Sequence, residues 1–232
     1  MKIFALISWA YATFMIFFSM TWVILTFHFM PKPYSIKLSS WMVRFFLFIR
    51  VKKEGIEDPE AQMFILNHES DIDIGVMETI TKRDLAWVAK KELFDVPFLG
   101  WLVKLPKDIP VERESKTSLI KLLRDVKDRI DHGRVITIFP EGTRSSKNKM
   151  LPFKAGAKIA ADKYKLKVQP VVFINTASYY NIKTKHYNPG LIKAIYLDSF
   201  YADKADKEWL KELRVKMQAV YDNEISKIDD YR

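Results

Sequence analysis

The chain of 232 residues contains no cysteine. That absence excludes disulfides, thiolate metal ligands and a cysteine nucleophile together. Also missing are a Gly/Ser-rich or Pro-rich linker, an internal repeat and a low-complexity tract, although residues 203–216 are dense in charge. Acidic residues are absent from the first fifty positions, which carry Lys2, Lys32, Lys37, Arg44 and Arg50. Half of the net charge of +10 therefore sits in that short stretch. A net charge alone fits nucleic acid, an anionic membrane or an acidic small substrate. An excess concentrated beside an apolar run fits a membrane surface best. With 49% hydrophobic residues the chain can bury a sizeable core, and its length suits one globular domain plus a short appendage.

The apolar run is Ile3 to Met30, in which no Lys, Arg, Asp or Glu occurs. About 20 apolar residues suffice to cross a bilayer's hydrocarbon core. Trp9, Tyr11 and Trp22 supply interfacial aromatics. No small-x-small cleavage site follows, so an uncleaved anchor is expected rather than a signal peptide. Pro31 and Pro33 break the helix, and Tyr34 to Val51 reads as a second one. Its cations Lys37, Arg44 and Arg50 are placed to snorkel toward headgroups, giving a two-helix monotopic anchor over residues 1–50. The alternative is that the second helix simply packs on the folded domain. Basic residues follow the first helix, so the positive-inside bias puts the main domain, residues 51–232, in the cytoplasm.

Beyond Val51 the hydrophobic period alternates between strand and helix. Strands are predicted at Met63–Asn67, Leu85–Ala89, Arg134–Phe139, Val168–Ile174 and Ala194–Leu197. Helices are predicted at Asp71–Ile80, Ser115–His132, Ala155–Tyr164 and Lys207–Ile228. Such alternation argues for an α/β fold with a largely parallel central sheet flanked by helices. Ligands then gather at the carboxyl ends of the strands.

Two segments sit at such ends. Asn67-His68-Glu69-Ser70-Asp71-Ile72-Asp73 follows the strand Met63–Leu66 and places a histidine beside carboxylates, the requirement for oriented base catalysis. Spacing does not choose between Asp71 and Asp73 as the orienting group, and either can instead serve a helix start. Phe139-Pro140-Glu141-Gly142-Thr143-Arg144-Ser145 follows the strand Arg134–Ile138. Gly142 lets backbone approach a ligand, Thr143 offers a hydroxyl, and Arg144 can grip a phosphate bidentately. Among the other histidines, His132 precedes Gly133 and reads as a group satisfying helix-end carbonyls, while His28 lies in the anchor and His186 in a polar loop.

Together these segments resemble the glycerolipid acyltransferase family, most closely the 1-acyl-sn-glycerol-3-phosphate acyltransferases. The family's Asn-His-x-x-x-x-Asp block is matched by Asn67, His68 and Asp73, and its Phe-Pro-Glu-Gly-Thr-Arg-Ser block by Phe139 to Ser145. Leu151 to Gly156, Val168 to Val172, Ala89 to Leu93 and Val96 to Gly100 are similar to further family blocks, so the likeness spans roughly residues 50–200. One block departs: where the family often has a glycine and an aromatic before an arginine, this chain has Lys107-Asp108-Ile109-Pro110-Val111-Glu112-Arg113.

The resemblance implies direct transfer of a fatty acyl group to an acceptor hydroxyl, with His68 as base and Asp73 holding its ring. It implies an acyl-CoA or acyl carrier protein thioester as co-substrate, no metal and no resident cofactor. It makes Arg113 and Arg144 the cations for the acceptor's phosphate, with Lys91 and Lys154 behind them, and gives Glu141, Gly142 and Thr143 to the pocket wall. Membrane lipid is then the implied partner. Glycerol 3-phosphate and a lyso amino-lipid are alternative acceptors within the same superfamily. A two-step route through Ser70 and a non-catalytic module that only binds anionic lipid are the remaining readings. A nucleic-acid partner is not expected, since the charge alone suggests it.

Overall fold

The structure, a computed structural model, describes residues 2–27, 29–112, 116–145, 149–182 and 184–229. It begins with helix α1 (Lys2–Thr26) and helix α2 (Lys32–Phe46). There follow β1 (Arg50–Glu54), β2 (Met63–Leu66), α3 (Asp73–Ile80), β3 (Leu85–Lys90), α4 (Lys91–Asp95), α5 (Leu99–Lys104) and β4 (Ile109–Val111). Then come α6 (Lys116–Asp131), β5 (Val135–Ile138), α7 (Ala155–Tyr164) and β6 (Lys167–Ile174). A short hairpin region holds α8 (Thr176–Tyr179), β7 (Tyr180–Asn181) and β8 (His186–Tyr187). The chain closes with β9 (Leu191–Tyr196), β10 (Phe200–Tyr201) and α9 (Trp209–Asp229).

The main sheet runs β1-β9-β6-β2-β5-β3-β4, with β10 pairing alongside β6. Five neighbours, from β6 to β4, are mutually parallel. The sheet is thus largely parallel, as the strand–helix alternation predicts. β9 runs antiparallel to β6, and β1 runs parallel to β9, so this edge points the other way. Every predicted strand and helix within the described residues is present, with ends displaced by a few residues. The second helix is shorter than expected. It stops at Phe46, and Arg50 and Val51 belong to β1 instead.

Alternation along β2 explains the layers. All four of its residues are buried, Met63 and Ile65 toward one face and Phe64 and Leu66 toward the other. The first face packs on α6, α7 and α9 through residues such as Leu122, Ala160, Leu213 and Met217. The second packs on Val76 and Met77 of α3, Tyr179 beside it, and Ala12 and Met15 of α1. Each fully buried side chain of this size contributes about 1.5–3 kcal/mol relative to exposure.

α1 is long and apolar enough to cross a membrane, and most of its surface lies outside the protein core. It is nonetheless tied to its neighbours: the Tyr11 hydroxyl donates to the Phe46 carbonyl at the end of α2, and Thr13 Oγ1 lies 3.0 Å from Tyr180 Oη of the domain. α2 packs between α1 and α3. Lys37, expected at the headgroups, points inward. Its ammonium donates to the Glu78 carboxylate and to the Glu78 and Thr81 carbonyls. Those acceptors outbid the interface because each would otherwise stay buried without a strong donor.

Candidate active site

The carboxyl end of β2 positions the site. After Leu66 pairs with Val171 of β6, the Asn67 side chain takes over the ladder: its amide nitrogen donates to the Phe173 carbonyl at 2.9 Å, and its oxygen accepts the Phe173 N–H at 2.7 Å. The backbone is thereby free to leave the strand, and His68 emerges at the sheet's end.

His68 Nδ1 lies 2.8 Å from Asp73 Oδ2. That oxygen also accepts the backbone N–H groups of Glu69 at 2.8 Å and Ser70 at 2.9 Å. Three donors converging on one carboxylate oxygen fix the tautomer with hydrogen on Nδ1, leaving the lone pair on Nε2. Nε2 has no hydrogen-bond partner among the described residues, and the side chain keeps 18% of its surface exposed while Asp73 is fully buried. The ring stacks on Phe139 with centroids 4.0 Å apart, and Phe139 stacks on Trp87 at 5.3 Å. Carboxylate on one edge and aromatic face behind leave Nε2 as the open position.

The segment after β5 braces this loop. Glu141 is buried, and its two oxygens accept the backbone N–H groups of His68 at 2.8 Å and Leu151 at 2.7 Å. Ser145 returns the favour by donating its N–H to the His68 carbonyl at 2.7 Å. Glu141 therefore fastens the backbone of two segments. Burial raises its pKa, and the N–H bonds from Leu151 and His68 oppose that shift. Gly142 adopts φ +67°, left-handed geometry that favours glycine, and its N–H is donated to the Phe139 carbonyl within the turn.

The two carboxylates that spacing left equivalent separate cleanly. Asp73 faces His68, while Asp71 forms an ion pair with Arg144, both partners remaining partly exposed. Arg144 is thus held against the His68 loop by the Asp71 carboxylate. Thr143 and Lys154 are exposed at the mouth of the turn, and the Lys154 backbone N–H donates to the Pro140 carbonyl at 2.9 Å. Lys91, just past β3, pairs at 3.2 Å with Glu112, just past β4, at the same end of the parallel strands. Arg113 lies outside the described residues. Ser70 is not poised as a nucleophile: its buried hydroxyl donates to the Tyr180 carbonyl at 2.5 Å.

One feature of the site was not visible in the motif. Glu69 is buried, accepts a hydrogen bond from the Thr176 hydroxyl at 3.3 Å, and also bonds Tyr221 of α9. Burial is the main cause that pushes its pKa up to about 8, with the charge of nearby Asp73 adding to the shift. The Glu69 carboxyl beside the imidazole is thus biased toward its protonated form.

An imidazole–carboxylate pair with an open Nε2 and a cation within the same loop cluster has the geometry that general-base transfer or hydrolysis requires. The acyltransferase family profile matches residues 37–174, and the chain belongs to that family. Its relatives include the 1-acyl-sn-glycerol-3-phosphate acyltransferase of Helicobacter pylori, 37% identical over 75% of this chain and 73% of that one. The enzyme so named in Escherichia coli is 28% identical over 72% of this chain and 68% of its own. Among solved structures, the 1-acyl-sn-glycerophosphate acyltransferase PlsC of Thermotoga maritima shares the fold. It has a TM-score of 0.76 and 22% identity, with 98% of this chain and 97% of that one covered.

Proposed function

We propose that this enzyme moves a fatty acyl group from an acyl thioester to the free sn-2 hydroxyl of 1-acylglycerol 3-phosphate, giving phosphatidic acid. The observation that carries the reading is the His68–Asp73 pair, in which Nε2 is open and Nδ1 is held. An alcohol is a weak nucleophile near neutral pH, so its proton must leave as the new C–O bond forms. His68 Nε2 takes that proton, and Asp73 stabilises the resulting imidazolium. The thioester C–S bond then breaks. The sulfur leaves as a thiolate, easily because its conjugate thiol has a pKa of about 8.5, and the imidazolium returns the proton to it. The residues need no metal or resident cofactor for this chemistry.

Arg144 receives the acceptor's phosphate, exchanging Asp71 for a dianion that a guanidinium can grip bidentately. Lys91 serves the same headgroup from the β3–β4 side, Arg113 is assigned to it by the family resemblance, and Thr143 and Lys154 border its entry. Glu141 and Gly142 act through the backbone, the first by fixing the His68 loop and the second by closing the turn. The apolar faces of α1 and α2 hold the catalytic end at the bilayer, with the domain on the cytoplasmic side. Because α1 is bonded to α2 at Tyr11 and to the domain at Thr13, we place this two-helix unit in one leaflet.

The test is a purified-enzyme assay with lysophosphatidic acid and glycerol 3-phosphate as competing acceptors, each with acyl-CoA and acyl carrier protein thioesters. Preferential formation of phosphatidic acid supports the proposal. Preference for glycerol 3-phosphate rejects the acceptor assignment.

A further inference from the structure

A groove of about 620 Å³ opens where α2 ends and β1 begins. Trp41, Phe45, Phe48 and Ile49 supply its apolar lining and Arg44 and Arg50 its cations, and Pro189 and Gly190, in the loop before β9, complete it. No residue of the His68 site lines it. The three lining aromatics are largely exposed, Phe48 the most at 68%. Phe48 also holds a left-handed backbone at φ +53°, closing α2 with the Ile49 N–H donated to the Arg44 carbonyl. Glycine is the usual residue in that position, so the chain carries a phenyl ring there against local preference.

The electrostatics are one-sided. The groove wall contains no acidic residue, and neither Arg44 nor Arg50 forms an ion pair among the described residues. Lys37 on the same helix is, by contrast, fully engaged with Glu78 and Thr81. Two unpaired guanidinium groups beside an aromatic lining match a phosphate carrying an acyl chain, the phosphate held bidentately and the chain laid on the rings. A free phosphate has no use for the rings, and a neutral lipid has none for the arginines.

We propose that this groove seats one anionic glycerophospholipid of the bilayer, distinct from acceptor and product in the His68 site. β1 runs opposite to β2, so Arg50 stands at the same end of the sheet as His68. A lipid phosphate fixed by Arg44 and Arg50 therefore sets the headgroup plane level with the catalytic end. This inference rests on the reading that α1 and α2 lie at the membrane.

The experiment is native mass spectrometry of the detergent-extracted full chain after exposure to phosphatidylglycerol or phosphatidylcholine and removal of loosely bound lipid. The expected result is one retained phosphatidylglycerol per chain and at least tenfold less phosphatidylcholine. Arg44→Gln/Arg50→Gln loses that retention at least tenfold, and Arg44→Lys/Arg50→Lys keeps most of it. Lys204→Gln/Lys207→Gln, an equal change of charge on an exposed loop, leaves it unchanged. Equal retention of both lipids, or retention unaffected by the Gln pair, overturns the seat. Co-sedimentation of the full chain with neutral phosphatidylcholine vesicles reads the membrane reading separately, because it needs neither arginine.

Discussion

Asp73 Oδ2 accepts His68 Nδ1–H at 2.8 Å and, in the same plane of reach, two backbone N–H groups of the loop that carries that histidine. One carboxylate therefore orients the imidazole and folds the loop that presents it. In Asp73→Asn the remaining carbonyl oxygen can still accept all three donors, but the negative charge that stabilises the imidazolium is gone. A kcat loss of about 10³–10⁴-fold is expected at neutral pH. Asp73→Glu, which keeps the charge but moves it, is expected to recover little. Steady-state kinetics of the two variants check both statements.

Arg144 and Asp71 form an ion pair, which the proposed phosphate role requires substrate to open. Arg144→Ala is expected to raise the acceptor KM at least tenfold for phosphate-bearing acceptors, with a smaller effect on kcat. Asp71→Asn removes the competing acid and is expected to lower that KM about two- to fivefold. Opposite signs for the two substitutions separate anion binding from a merely structural ion pair, which would be weakened in the same direction by both.

Glu141 holds the backbone of His68 and Leu151 with its two oxygens. In Glu141→Gln one oxygen becomes an NH2 group facing an N–H donor. Leaving a buried donor unpaired costs about 1–3 kcal/mol, visible as a lower midpoint in urea unfolding. Turnover falls as well, because the His68 loop loses its brace, while the acceptor KM changes less.

Glu69 gives the fold a pH dependence of unusual sign. Its folded pKa of about 8 lies above the ordinary carboxyl value of 4.5, so the folded state keeps a proton that the unfolded chain releases. Stability linked to this group is full below pH 4.5, declines as pH rises to about 8, and is flat beyond. Glu69→Gln abolishes that titration. Relative to the native chain, the variant is expected to gain stability between pH 5 and 8 by up to about a few kcal/mol. Denaturant unfolding of both proteins across that range measures the difference, and parallel profiles would assign the carboxyl an ordinary pKa.

Much of this was legible before any coordinates. β2, β3, β5 and β6 are continuous apolar runs of a buried parallel sheet, and such runs need no distant partner to be recognised. His132 caps its helix as expected, its Nδ1 lying 2.7 Å from the Asp128 carbonyl. β1 was hidden because Arg-Val-Lys-Lys-Glu is a charged edge strand whose partner among the described residues, β9, lies about 140 residues later in the chain. β4 is three residues long with a central proline, too short for a period to appear. The division of labour between Asp71 and Asp73 depends on which way a loop turns, and the raised pKa of Glu69 depends on burial by α8 and α9. Neither quantity is written in local spacing. Lys37 misled for a related reason: its acceptors lie on α3, about 40 residues away.

The central claim is that an open imidazole nitrogen on residue 68 draws the proton from a lipid alcohol. Its most direct measurement is kcat of His68→Ala with lysophosphatidic acid and an acyl-CoA donor, taken beside the variant's vesicle binding and unfolding midpoint. The account predicts a fall of at least about 10³-fold with binding and folding retained. Turnover within tenfold of the native enzyme would contradict it.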